Sequence, residues 1–127
     1  MWIQQNPNYL GKHTNDCVVR ALSIVLGKDW IWTYIELGIQ GLIMAQMPSD
    51  NQVWDAFLRA RGFQRESIPN TCPDCYTIKD FCDDHKSGVY VLGTGRHVVA
   101  VIDGSYIDDW DSGNEVPLFV WSKVRRN

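Results

Sequence analysis

The chain has 127 residues, 45% of them hydrophobic and 21% charged, and a formal net charge of −3. That length suits one domain with one core across residues 1–127. The mildly acidic balance excludes a global field for nucleic acid or for an anionic membrane surface. No apolar run approaches the roughly 20 residues of a membrane-spanning helix. The opening residues, Met1 to Pro7, lack a basic segment followed by an apolar one, so no secretory leader is expected and the expected location is cytoplasmic. Thiols stay reduced there. The four cysteines, Cys17, Cys72, Cys75 and Cys82, are therefore expected to be free, catalytic or metal-binding rather than disulfide-bonded. The basic end, Lys123-Val124-Arg125-Arg126, reads as a solvated tail.

Residues 1–13 are polar, contain Pro7 and Gly11, and read as an extended arm. A helix follows from Cys17 to Leu26. Thr14, Asn15 and Asp16 are all good N-cap types, and Gly27 is a natural stop. Cys17, Ala21, Leu22 and Val25 share one apolar face. A second helix, capped by Asp29, begins at Trp30 and is expected to end by Gly38 or Gly41, with residues 42–48 as a loop. A third is expected over about 50–61, capped by Ser49, with Val53, Trp54, Phe57, Leu58 and Ala60 as its stripe. The aromatic clusters Trp30/Trp32/Tyr34 and Trp54/Phe57 are read as core.

Residues 63–76 carry Pro69 and Pro73 and read as irregular. Thr77 and Asp80 then have the spacing of a capping box, opening a short helix to about His85. Beyond Gly88 the period becomes that of strands: 89–92, 97–102, 105–108 and 118–121. Helices first and an antiparallel sheet second make an α+β pattern, N-terminal helices packed on a C-terminal sheet.

Two constellations carry chemistry. In the first, Asp103-Gly104 between two β-rich runs predicts a two-residue hairpin turn. That register pairs Ile102 with Ser105 and Val101 with Tyr106, and puts His97, Asp108 and Trp110 on one face. An aspartate there can orient an imidazole by hydrogen bonding. A longer turn would favour Asp109 or Asp111 instead, and Asp111 is the second choice. Trp110 is placed to shield the pair from water. Cys17, in the first turn of a helix, feels the positive end of the helix dipole, which favours the nucleophilic thiolate. His13, four residues earlier, reads as a surface loop residue near the same cleft.

The second constellation is Cys72-Pro73-Asp74-Cys75 followed by Cys82-Asp83-Asp84-His85. Cys-x2-Cys with Cys-x2-His supplies four zinc-type ligands, and a zinc held by Cys72, Cys75, Cys82 and His85 would be structural. The segment Gly93-Thr94-Gly95-Arg96 precedes a strand and lacks the ending of a phosphate loop, so it reads as backbone access for a substrate beside His97.

The order Cys, His, Asp, with helices before the sheet, resembles the papain-like cysteine peptidases, and among them compact forms such as the bacteriocin-processing peptidase domains. The matching residues are Asp16-Cys17 opening a helix, Gly95-Arg96-His97 followed by Val-Val-Ala-Val, and Asp108-Asp109-Trp110. Phage and bacterial proteins of about this length carry stretches similar to residues 16–22 and 97–104, so the resemblance covers most of the chain. It implies a papain-like fold and a cysteine hydrolase acting on a peptide or protein substrate. Cys17 would attack the carbonyl, His97 would shuttle the proton and Asp108 would fix the tautomer, with no cofactor required. The backbone N–H of Cys17 would help hold the oxyanion. One departure stands out. The family places a glutamine six residues before the cysteine, and that position is Gly11. Asn15 is the nearest amide side chain, and Gln4 or Gln5 would have to fold back. An acyltransferase, an inactive papain-like binding domain and a zinc-stabilised interaction module are the alternatives left open.

Overall fold

The computed structural model describes residues 1–123; of the basic tail, residues 124–127 lie outside the described residues. The elements run β1 (Trp2–Gln4), α1 (Cys17–Leu26), α2 (Trp30–Met44), α3 (Asn51–Arg59), β2 (Phe63–Ser67), α4 (Ile78–Asp84), β3 (Val89–Gly93), β4 (Val98–Ile102), β5 (Ser105–Asp108) and β6 (Phe119–Lys123). The fold is mixed α+β, with helices mostly early and strands mostly late. One sheet holds all six strands in the order β1-β5-β4-β3-β6-β2.

The sheet is sandwiched between unequal helical layers. Side chains alternate along β3 and β4. Val91, Val98 and Ala100 face α1, α2 and α3, in a core with Leu22, Leu37, Trp54, Phe57, Leu58 and Trp121. Leu92, Val99 and Val101 face α4, in a second core with Ile78, Phe81, Cys82 and Tyr106. Period-2 alternation is what lets one strand feed two cores. Trp54 and Trp121 meet with ring centroids 4.4 Å apart and join α3 to β6.

The β4–β5 hairpin has the expected register, Ile102 opposite Ser105 and Val101 opposite Tyr106. Asp103 (φ 49°) and Gly104 (φ 80°) both occupy the left-handed region, as a tight two-residue turn between right-twisted strands requires. The Thr77–Asp80 capping box is present in full.

Several expectations need correction. The sheet is not wholly antiparallel, because the N-terminal arm contributes β1, which runs parallel to β5. Residues 63–67 are not irregular; they form β2, an edge strand antiparallel to β6. Helix α2 does not stop at Gly38 or Gly41 but continues to Met44, where Ala45 adopts a left-handed cap. At Gly41 a Cβ would come within 2.7 Å of the Gln46 carbonyl oxygen, so the glycine serves the returning loop rather than ending the helix. The cap of α3 is Asp50, not Ser49. Trp54 and Phe57 are core, but Trp32 and Tyr34 are 59% and 55% exposed. Trp30 stacks on Tyr34 at the helix surface.

Candidate active site

Cys17 is the first residue of α1, half-buried, in the wall of a cavity of about 550 Å³. Asp16 stands at the N-cap position, yet its carboxylate makes no capping bond to the first turn. It turns sideways, accepting from Arg20, from Trp30 Nε1 at 2.9 Å and from Asn8 Nδ2 at 3.3 Å. The first-turn amides around Cys17 are therefore not occupied by their own cap, and Cys17 and Val18 of that turn line the cavity.

His97 precedes β4 in the tight β3–β4 turn. Thr94 fixes its backbone: Thr94 N–H donates to the His97 carbonyl at 2.9 Å, and Thr94 Oγ1 accepts from His97 N–H at 3.0 Å. Gly93 sits beside this turn because a Cβ there would press on the Trp121 ring at 3.1 Å. His97 Nε2 donates to Asp108 Oδ2 across 2.6 Å. Its ring shares the cavity wall with Cys17, close enough for each group to shift the other's titration. Trp110 packs against the imidazole, ring centroids 4.9 Å apart, where the hairpin register had placed it.

Asp108 closes β5 and is buried. Its carboxylate is filled with donors. Besides His97 it accepts from Ser112 Oγ at 2.8 Å, from the Asp109 N–H at 2.8 Å and from Arg20 Nη2 at 3.4 Å. A carboxylate held by several donors in a dry setting is a strong, fixed anchor. Asp111, the other candidate, is engaged elsewhere, accepting from the Tyr106 hydroxyl and from Gly113 N–H.

These contacts set the charges. Burial pushes the Cys17 thiol up, but the His97 hydrogen bond, a Val98 backbone N–H and the nearby cations outweigh it, and its pKa lies below the ordinary thiol value. Burial pulls His97 down, but the Asp108 and Cys17 hydrogen bonds dominate and raise it to about 9. Burial raises Asp108 while the bonds from His97 and Ser112 lower it, with a net downward shift. All three shifts favour thiolate, imidazolium and carboxylate side by side. A thiolate beside an imidazolium is a nucleophile with a proton donor in place.

The sequence expectations sort as follows. Cys17, His97 and Asp108 are brought together. Asn15 lines the cavity, whereas Gln4 and Gln5 lie outside its wall, held along β5 by the Gln4–Asp108 pairing and the Gln5 N–H to Asp108 carbonyl bond. His13 Nδ1 is 3.2 Å from Asp109 Oδ2. The four zinc-type residues are not brought together. Cys72 and Cys75 form a disulfide, against the expectation of free thiols. The turn that Asn70, Thr71 and Asp74 tie together brings their Cα atoms to 4.1 Å. Cys82 is buried in the second core, and His85 stacks on Phe81 and bonds its carbonyl through Nδ1. Among the described residues no group of three or more His, Cys, Asp or Glu is placed to hold a metal ion. Among them, too, no helix is long and apolar enough to cross a membrane.

Two residues of the site escaped sequence reasoning, and a third, Thr94, was placed beside His97 only as part of the substrate-access segment Gly93-Thr94-Gly95-Arg96. Ser112 carries no motif. Arg20 is buried on α1, where a cation among apolar neighbours invites reading as solvated. Its guanidinium instead joins Asp16, Asp108 and Asp109. Comparison of the chain with protein-family models, with curated proteins and with solved structures found no match.

Proposed function

We propose that the protein is a cysteine hydrolase of papain-like type, cleaving a peptide or isopeptide bond. The observation that carries this reading is the line Cys17–His97–Asp108. The thiol shares one cavity wall with an imidazole whose Nε2 is 2.6 Å from a buried carboxylate. Each of thiol and imidazole shifts the other toward its charged form, and the cavity is large enough for a peptide segment.

The chemistry follows from these positions. The Cys17 thiolate attacks the carbonyl carbon, and the oxygen takes up the charge beside the free first-turn amides of α1. His97, as imidazolium, gives its proton to the departing amine when the C–N bond breaks. A thioester remains on Cys17. Neutral His97 then takes a proton from water, the resulting hydroxide attacks the thioester, and the acid leaves as the thiolate is restored. Asp108 keeps the imidazole turned so that one nitrogen faces the sulfur throughout. An amine in place of water would give acyl transfer by the same steps.

Asn15, two residues before Cys17 on this wall, is the side-chain amide assigned to supplement the backbone donors. Gly11 in place of the family's glutamine favours one second reading, a papain-like binding domain without turnover. Loss of one such donor costs about 100–1,000-fold in turnover in other enzymes, so the distinction is measurable. The test is labelling with a thiol-directed peptidyl electrophile. Mass spectrometry is expected to find the adduct on Cys17, with no labelling in Cys17→Ala. Undiminished labelling in that variant would assign the reactivity to another thiol and end the proposal.

A further inference from the structure

The cavity that Cys17 and His97 share is lined by two arginines, Arg65 on β2 and Arg96 in the β3–β4 turn. Both are exposed. The ion pairs of the described residues engage Arg20, Arg59 and Arg61 but neither of these two. Among the described residues, Asp55 is the carboxylate in the wall, and it is already occupied. Its Oδ1 accepts from Trp121 Nε1 at 2.7 Å, and its Oδ2 from Arg59 Nε at 2.9 Å. The Arg65 guanidinium lies 5.1 Å over the Phe119 ring, which gives it a defined seat in the wall. A chain of net charge −3 thus presents a locally positive cleft around its candidate nucleophile. Two uncompensated cations facing one cavity favour an anionic occupant, because field lines concentrate in a low-dielectric cleft.

The two cations are not equivalent. Arg96 is the residue before His97 and so sits beside the reacting bond. Arg65 lies on the edge strand, three strand steps from β4 through β3 and β6. At about 4.8 Å per step this is about 14 Å across the sheet. The register sets Arg65 level with Ala100, four residues along from Arg96. The two positions are therefore roughly 19 Å apart, the reach of about five to six residues of extended peptide. We propose that the cleft selects an acidic peptide, with one carboxylate on Arg96 next to the bond to be cleaved and a second on Arg65 about five to six residues away. This selection rests on the hydrolase reading above. Guanidinium groups suit the role, since each offers a planar fork matched to a carboxylate.

The test uses epoxysuccinyl diamide peptides, which carry chain on both sides of a thiol-directed electrophile. Glu or Gln is placed either adjacent to the electrophile or about five to six residues from it. The readout is the ratio of Glu to Gln rates for modification of Cys17, followed by mass spectrometry, with iodoacetamide as a small neutral reference. The expected ratio is about fivefold at low salt, the scale of an exposed charge pair, and it shrinks as salt is raised. Arg96→Gln removes the preference at the adjacent position, and Arg65→Gln removes it at the distant one. A Glu to Gln ratio near one for the native protein, or ratios that neither substitution moves, overturns the acidic selection while leaving the hydrolase reading intact. Cys17 that reacts with neither the peptides nor iodoacetamide overturns both.

Discussion

Arg20 Nη2 lies 3.4 Å from Asp108 Oδ1, tying the helix that opens at Cys17 to the strand end that holds His97. The same guanidinium is paired with Asp16, the residue before Cys17. A closed circuit results: Asp16 to Arg20, Arg20 to Asp108, Asp108 to His97, His97 to Cys17, and back along the chain. Helical layer and sheet are thus locked in one relative position where the sulfur and the imidazole meet.

Arg20→Met is expected to cost about 3–5 kcal/mol, because it leaves Asp16, Asp108 and Asp109 without their shared cation. Arg20→Lys keeps the charge but not the fork that reaches three carboxylates at once, so its loss should fall between. Urea unfolding measures both. Equal losses for Lys and Met would show that the charge itself contributes nothing.

The pH response follows from two opposed shifts. Cys17 lies below its ordinary value and His97 is raised to about 9, so the thiolate–imidazolium pair opens below the ordinary thiol range and ends near pH 9. Iodoacetamide should alkylate native Cys17 at pH 7 faster than the same thiol in the urea-unfolded chain, whose pKa is about 8.5. Above about pH 9 alkylation should continue, since the thiolate persists. Amide turnover should fall there, since the imidazolium proton needed by the leaving amine is gone. In stability, the raised His97 contributes fully below its unfolded value of about 6.5 and loses that contribution as pH rises through about 9. The lowered Asp108 contributes above about 3.9 and loses its contribution as pH falls through its folded value. An alkylation profile with a single midpoint near the free-thiol value would remove the ion pair.

Asp108→Asn and Asp111→Asn should part company. Asp108 holds the imidazole, whereas Asp111 holds the Tyr106 hydroxyl and the Gly113 N–H. Asp108→Asn should drop the upper limit of the ion pair well below pH 9 and slow turnover roughly 100-fold or more, the scale of a misplaced general acid. Asp111→Asn should leave the Cys17 alkylation profile in place. Alkylation profiles of the two variants decide it, and a stronger effect at Asp111 would reverse the assignment.

What could be read from the residues alone was whatever rests on local chemistry. The Asp103-Gly104 turn sets its own register, and that register alone brought Asp108 and Trp110 to His97. The Thr77–Asp80 capping box needs nothing beyond four residues. β1 and β2 were missed because their pairing is decided elsewhere. The first, Trp-Ile-Gln, is exposed along its length, and the second, Phe-Gln-Arg-Glu-Ser, buries only its first side chain, so neither shows an alternating pattern. Arg20 was missed for a related reason. What makes its burial tolerable is a pair of carboxylates more than eighty residues away, at Asp108 and Asp109. The Cys72–Cys75 disulfide was not the expected state because a reducing compartment was assumed and the Cys-x2-Cys spacing was read first as zinc ligands.

Two glycines in α2 give opposite predictions from one helix. A Cβ at Gly38 meets nothing within 4 Å, so Gly38→Ala should stabilise by about 0.5–1 kcal/mol through reduced backbone freedom in the unfolded chain. A Cβ at Gly41 would land 2.7 Å from the Gln46 carbonyl oxygen and 3.2 Å from the Pro48 nitrogen, both backbone atoms. The loop must then move, at a cost of about 1–3 kcal/mol that outweighs the same entropic gain. That loop also bonds back to the helix, Gln46 N–H to the Gly41 carbonyl at 2.9 Å, and leads directly to Ser49 and Asn51 in the cavity wall. Thermal melts should therefore move in opposite directions, Gly38→Ala upward by a few degrees and Gly41→Ala downward by more. Gly41→Ala should also slow peptide labelling of Cys17 relative to labelling by iodoacetamide, because the wall is displaced and the thiol is not. Parallel upward shifts for both variants would mean that the loop does not pack on Gly41.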